Sequence, residues 1–155
     1  MFDEITIERA LEEARDKEQL SYDFYMKLLN YVKDLGTKAM IEELAIEELS
    51  HKRVLDDVLN NKEIDEIRLG EKCYLIDLGL TKMVRPEVVT ENMTMEAVLR
   101  IAIKHEELTR QFYENIAERF KGNAVENIFK QLSHEEMCHR NNIQMLYDDL
   151  VFKEN

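Results

Sequence analysis

EELSH at residues 47–51 returns as EEMCH at residues 135–139, 88 residues further along the chain. The same shift lays Leu11–Asn60 over Leu99–Asp148 without a gap and leaves eleven positions identical. Among them are Glu18/Glu106, Phe24/Phe112, Tyr25/Tyr113, Leu44/Leu132, Glu47/Glu135, Glu48/Glu136 and His51/His139. Shared helical composition explains a Leu or Glu match. It does not explain Phe-Tyr and Glu-x-x-His falling at one offset, so the chain reads as a duplicated unit.

Each copy of the unit is a pair of helices. Apolar residues recur at steps of three and four over about 6–35 and 37–59, and again over about 94–121 and 124–150. Gly36 reads as the C-terminal cap of the first helix, Thr94 as the N-cap of the third, and Gly122-Asn123 as the turn before the fourth. Turns this short make each pair an antiparallel hairpin. The hairpins span about 6–60 and 94–150. Between them, about 61–93, lies a less regular stretch with the only proline, Pro86, and an apolar middle at Tyr74–Leu80. It reads as a long crossover packed along the bundle. The expected fold is all-α: four helices in two hairpins, one domain over 1–155.

Composition agrees. Of 155 residues, 45% are apolar, with six Phe and six Tyr, which is enough for a core. Four Gly and one Pro are too few to punctuate a many-stranded fold. The formal charge of −12 repels phosphate backbones and anionic lipid, so neither nucleic acid nor a membrane surface is an expected partner. The acidic N-terminus shows no apolar signal segment, and no apolar run is long enough to span a membrane. Cys73 and Cys138 form no CxxC pair. They read as two free thiols, suited to a reducing cytoplasm.

Every apolar stripe is interrupted by a carboxylate near its middle. Helix one reads Leu11, Ala14, Glu18, Ser21, Tyr25, and helix three Leu99, Ala102, Glu106, Thr109, Tyr113. Helix two reads Leu44, Glu48, His51, Leu55, and helix four Leu132, Glu136, His139, Ile143. A buried unpaired carboxylate costs several kcal/mol, so four directed at one core need a partner. Two divalent ions supply it: four ionised Glu contribute −4, two neutral His nothing, and two ions +4. The same ions bring the formal −12 to −8. Spacing of i, i+3 sets Glu48 beside His51 and Glu136 beside His139, so each pair offers two ligands to one ion. Glu18 and Glu106 complete the set by capping or bridging. This is the ligand pattern of dinuclear carboxylate bundles. The expected metal ligands are therefore Glu18, Glu48, His51, Glu106, Glu136 and His139, with no catalytic group apart from them. Glu/His sites accept Fe, Mn or Zn.

Neighbouring residues read more plainly. Tyr25 and Tyr113 lie two turns past the single glutamates on the same face, and their hydroxyls are expected to hydrogen-bond a ligand carboxylate. Glu47 and Glu135 lie about 100° round the helix, on a solvated face. His105 and His134 fall off the stripes and read as surface or satisfied histidines. Cys138 reads as a small buried hydrophobe, and the eight Met as core filler.

At EQLSYDFY (Glu18–Tyr25) with EELSH, and EELTRQFY (Glu106–Tyr113) with EEMCH, the chain resembles the rubrerythrin branch of the ferritin-like superfamily. The resemblance covers both hairpins. It implies a ferritin-like four-helix bundle with a non-haem di-iron centre, of the kind used to reduce hydrogen peroxide or oxygen, often in homodimers that counter oxidative stress. Two departures stand out. No rubredoxin-type module precedes Asn155, so electrons are expected from a separate donor such as a rubredoxin. The further glutamate that rubrerythrins carry on the third helix has no counterpart: Thr109 stands one turn after Glu106, as Ser21 does after Glu18. The leading expectation is a di-iron oxidoreductase. A ferroxidase or iron-storage protein, and a metal-binding bundle without turnover, are the alternatives.

Overall fold

The computed structural model describes residues 6–61 and 94–154. Four helices account for nearly all of them, and no strand occurs among the described residues. They are α1 (Ile7–Leu28), α2 (Leu35–Asn61), α3 (Met95–Arg119) and α4 (Val125–Glu154). The expected crossover lies, beyond Asn61, outside the described residues.

The helix starts follow from short polar side chains. The Thr6 hydroxyl accepts from Arg9 N at 3.1 Å and that of Thr94 from Ala97 N at 3.2 Å, each satisfying a backbone donor that the first turn leaves open. Glu8 and Glu96 sit in those first turns, where the helix dipole favours an acid.

The turn between α1 and α2 differs from the expectation. The α-helix ends at Leu28, Leu29–Tyr31 tighten into a 3-10 turn, and Val32 is extended. Asp34 then caps α2: its Oδ2 accepts from Thr37 N at 2.8 Å and from Thr37 Oγ1 at 2.9 Å. Gly36 is thus in the first turn of α2 and does not end α1. An aspartate able to cap the following helix decides the boundary over a glycine that needs no unusual backbone. Gly122 is the one described glycine with positive φ, 84°, and it closes α3. Asn123 Oδ1 then accepts from Val125 N at 3.2 Å and opens α4.

The core has two apolar parts. One joins Ala10, Leu11 and Ala14 of α1 to Leu55 and Val58 of α2, Tyr113 and Ile116 of α3, and Phe129 and Leu132 of α4. The other joins Tyr25 and Leu28 to Ile41 and Leu44, to Val98, Leu99, Ile101, Ala102 and Ile103, and to Ile143. The start of α1 therefore meets the ends of α2 and α3 and the start of α4. Each hairpin is antiparallel, and the second hairpin is turned end for end against the first. That turn is the two-fold relation expected of a duplicated unit. Each fully buried Leu or Ile contributes roughly 1.5–3 kcal/mol, and between the two apolar parts lies a polar layer.

Candidate metal centre

The polar layer is made of Glu18, Glu48, His51, Glu106, Glu136 and His139, none more than 2% exposed. Each helix contributes at the level where its stripe is interrupted. The i, i+3 spacing does set Glu48 beside His51 on α2 and Glu136 beside His139 on α4.

The six fall into two overlapping groups, each with one ligand atom per residue and all of those atoms within 4.8 Å of one another. The first is Glu18, Glu48, His51 and Glu136, and the second is Glu48, Glu106, Glu136 and His139. Glu48 and Glu136 belong to both. Spacing along one helix suggested an ion per Glu-x-x-His, with Glu18 and Glu106 capping or bridging. In the folded chain the motif glutamates are common to both groups, and Glu18 and Glu106 belong to one each. His51 Nδ1 lies 3.4 Å from Glu18 Oε2 and 3.3 Å from Glu136 Oε1. His139 Nδ1 lies 2.8 Å from Glu48 Oε1 and 3.7 Å from both Glu106 Oε2 and Glu136 Oε2. The two imidazoles stack nearly parallel, 5.6 Å apart.

The inward atoms have no hydrogen-bond partner. They are Glu18 Oε2, both oxygens of Glu48 and of Glu136, Glu106 Oε2, and Nδ1 of both histidines. Buried polar atoms in folded proteins are nearly always satisfied, so eight unpartnered atoms in one layer fit the binding of cations among them. Oxygen and imidazole donors in this proportion suit Fe, Mn or Zn. Without cations the layer is electrostatically strained. Burial, then the charges of Glu48 and Glu136, push Glu18 well above the usual carboxylate range. Burial and Glu136 do the same to Glu106. Burial would raise Glu136 as well, but the close approach of Glu106, His139 and His51 holds it low. Burial opposes protonation of His51 and His139, yet the surrounding glutamates outweigh it and raise both.

Glu18, Glu106, His51 and His139 are each held by a residue from the other hairpin. Tyr113 OH donates to Glu18 Oε1, and Tyr25 OH donates to Glu106 Oε1. Both tyrosine hydroxyls thus reach ligand carboxylates, crosswise between the repeats. Glu135 accepts from His51 Nε2, and Glu47 from His139 Nε2. Bonding of Nε2 to a carboxylate turns Nδ1 of each ring toward the centre. The solvated-face reading of Glu47 and Glu135 is therefore corrected. A residue 100° off the core stripe on one helix can still point across the seam to a neighbouring helix. Their recurrence at the same offset as the ligands was the available signal.

His105 is satisfied, as expected: it stacks on Phe24 with centroids 4.6 Å apart, and its Nε2 lies 2.8 Å from Ser21 Oγ. Burial lowers its pKa. The equivalent residue of the first repeat, Lys17, sits 4.7 Å over the Phe112 ring. His134 is exposed. Thr109 Oγ1 donates to its own helix at His105 O, 3.0 Å away, and adds no ligand. Cys138 is buried as expected but is disulfide-bonded, with its partner outside the described residues. The argument from free thiols to a reducing compartment therefore does not hold for it. No described helix is long and apolar enough to cross a membrane.

The Rubrerythrin family model matches residues 97–155, which include Glu106, Glu136 and His139. No curated protein and no solved structure matches the chain. The matched segment covers the second hairpin, and the first hairpin repeats its ligands and its supporting residues at one offset and in mirrored contacts. Over that hairpin the chain is similar to the Rubrerythrin family, and its four-helix architecture and buried Glu/His layer fit that likeness.

Proposed function

We propose that the chain is a di-iron carboxylate oxidoreductase that reduces hydrogen peroxide or oxygen with electrons from a separate donor protein such as a rubredoxin. The supporting observation is the pair of overlapping ligand groups with their inward atoms unpartnered. Glu18 and His51 would hold one ion and Glu106 and His139 the other, with Glu48 and Glu136 within reach of both. A di-iron centre so held would supply the two electrons that peroxide reduction requires.

The chain's own residues prepare the centre for that chemistry. Tyr25 and Tyr113 keep the terminal carboxylates in place through their hydroxyls. Glu47 and Glu135 orient the imidazoles. The apolar layers above and below exclude water, and four anionic carboxylates favour the more highly charged oxidised ions. A homodimer is the assembly we propose.

Metal analysis of protein purified without oxygen, followed by stopped-flow mixing of the diferrous form with peroxide, tests the reading. Two irons per chain and oxidation much faster than that of free Fe²⁺ are expected. Oxidation no faster than free Fe²⁺ removes the oxidoreductase reading. A 24-subunit shell on gel filtration would favour iron storage.

A further inference from the structure

The two halves of the centre are related by the repeat, yet they are not equally supported. The bridging glutamates are common to both positions. Any difference between the positions therefore comes from what holds Glu18 and His51 on one side and Glu106 and His139 on the other. Each terminal carboxylate has one tyrosine donor, and the Tyr113 hydroxyl also lies at a long 3.5 Å from Ala14 O. The carboxylates behind the imidazoles differ. Glu135, which accepts from His51, has a side chain 15% exposed, whereas Glu47, which accepts from His139, is 45% exposed.

We propose that the two metal positions are inequivalent: the position of Glu18 and His51 binds a divalent ion more tightly and fills first, and that of Glu106 and His139 fills second and exchanges first. The proposal rests on the dinuclear reading above and adds an order to it. A charged hydrogen bond is stronger where water is excluded. An exposed carboxylate is shared with solvent, screened by salt, and freer to leave its partner. His51 is therefore held more firmly, with Nδ1 directed at the ion, and its imidazole is the better donor.

One feature opposes this order. Lys52, next to His51, donates to the neutral amide of Gln19 at 2.8 Å, whereas Arg140, next to His139, donates to the Glu107 carboxylate at 2.7 Å. The uncompensated charge near His51 disfavours a cation there. Lys52, however, is directed at Gln19 on the partly exposed side of α2, so solvent attenuates its effect, while Glu135 bonds the ligand itself. The direct bond prevails.

Anaerobic titration of the apo-protein with Co²⁺, followed by calorimetry and visible absorption, tests the order. Wild type is expected to bind two ions in steps separated by about tenfold or more. Glu135→Gln should weaken the tighter step by about tenfold and Glu47→Gln the weaker step by less. His139→Ala should keep one ion at the affinity of the tighter step, and His51→Ala one ion at that of the weaker. Circular dichroism confirms that each variant is folded. Two equal steps in wild type, or a larger effect of Glu47→Gln than of Glu135→Gln, overturns the proposed order while leaving the dinuclear centre in place. Absence of any bound Co²⁺ in folded wild type overturns the dinuclear reading itself.

Discussion

Replacing Glu48 by Met should make the metal-free protein more stable and the metal-loaded protein less so. Glu48 is fully buried and neither of its carboxylate oxygens has a hydrogen-bond partner. His139 Nδ1 lies 2.8 Å from Oε1 as an ion-pair neighbour. An unsatisfied buried polar group costs about 1–3 kcal/mol, and exchange of buried ionic groups for apolar ones of similar volume is often stabilising by about 1–4 kcal/mol. Part of this gain is lost because His139 gives up one of its four carboxylate neighbours, leaving Glu47, Glu106 and Glu136. A net gain of about 2 kcal/mol remains, or about 4–8 °C in Tm for a chain of this size. In saturating metal the order inverts. Binding at a hundred times Kd adds about 2.7 kcal/mol per ion to wild type. The variant loses a bridging ligand and with it at least one ion. Thermal melts of both proteins in chelator and in excess Mn²⁺ make the comparison. A Glu48→Met protein that melts below wild type in chelator would refute the claim that this carboxylate is present for a metal at the expense of the fold.

Three further outcomes follow from local geometry. Tyr113→Phe should leave the helices intact and weaken metal binding by about tenfold, because the donation to Glu18 is lost along with a long 3.5 Å contact to Ala14 O; a metal titration reads this directly. Glu107, bonded to Arg110, Gln111 and Arg140, has its pKa lowered to about 2 from 4.5, these partners outweighing the burial that would raise it. Because the folded value is the lower one, the contribution is complete above about pH 4.5 and is lost as pH falls toward 2. Urea midpoints between pH 6 and 2 should therefore fall more steeply for wild type than for Glu107→Gln, by roughly 2 kcal/mol over that range. Gly122→Ala meets no atom within 4 Å, so its effect comes from the positive φ alone: about 1 kcal/mol of destabilisation by denaturant titration, without change in metal content.

What was legible in the sequence is what lies within one helix. The 3.6-residue period is local, so Glu48 and His51 on one face, or Glu18 and Tyr25 two turns apart on another, could be read from spacing alone. The start of α3 at Thr94 was equally readable, since a cap is made within three residues. The turn into α2 was not, because Gly36 and Asp34 offered two local answers and the chain adopted the aspartate cap.

The sequence by itself determined the four-helix class, the duplication and the six residues of the polar layer, because periodicity and repeat register are properties of the chain. Tertiary structure alone decided that Glu48 and Glu136 occupy the shared places, that each tyrosine serves the other repeat's glutamate, and that Glu47 and Glu135 reach the outer nitrogens of the histidines. It also set the unequal burial of those last two carboxylates. Each of these is a contact between hairpins 81 to 95 residues apart in sequence. The depth and turn at which two helices meet depend on how their side chains interlock across the bundle, and no spacing along a single helix records that.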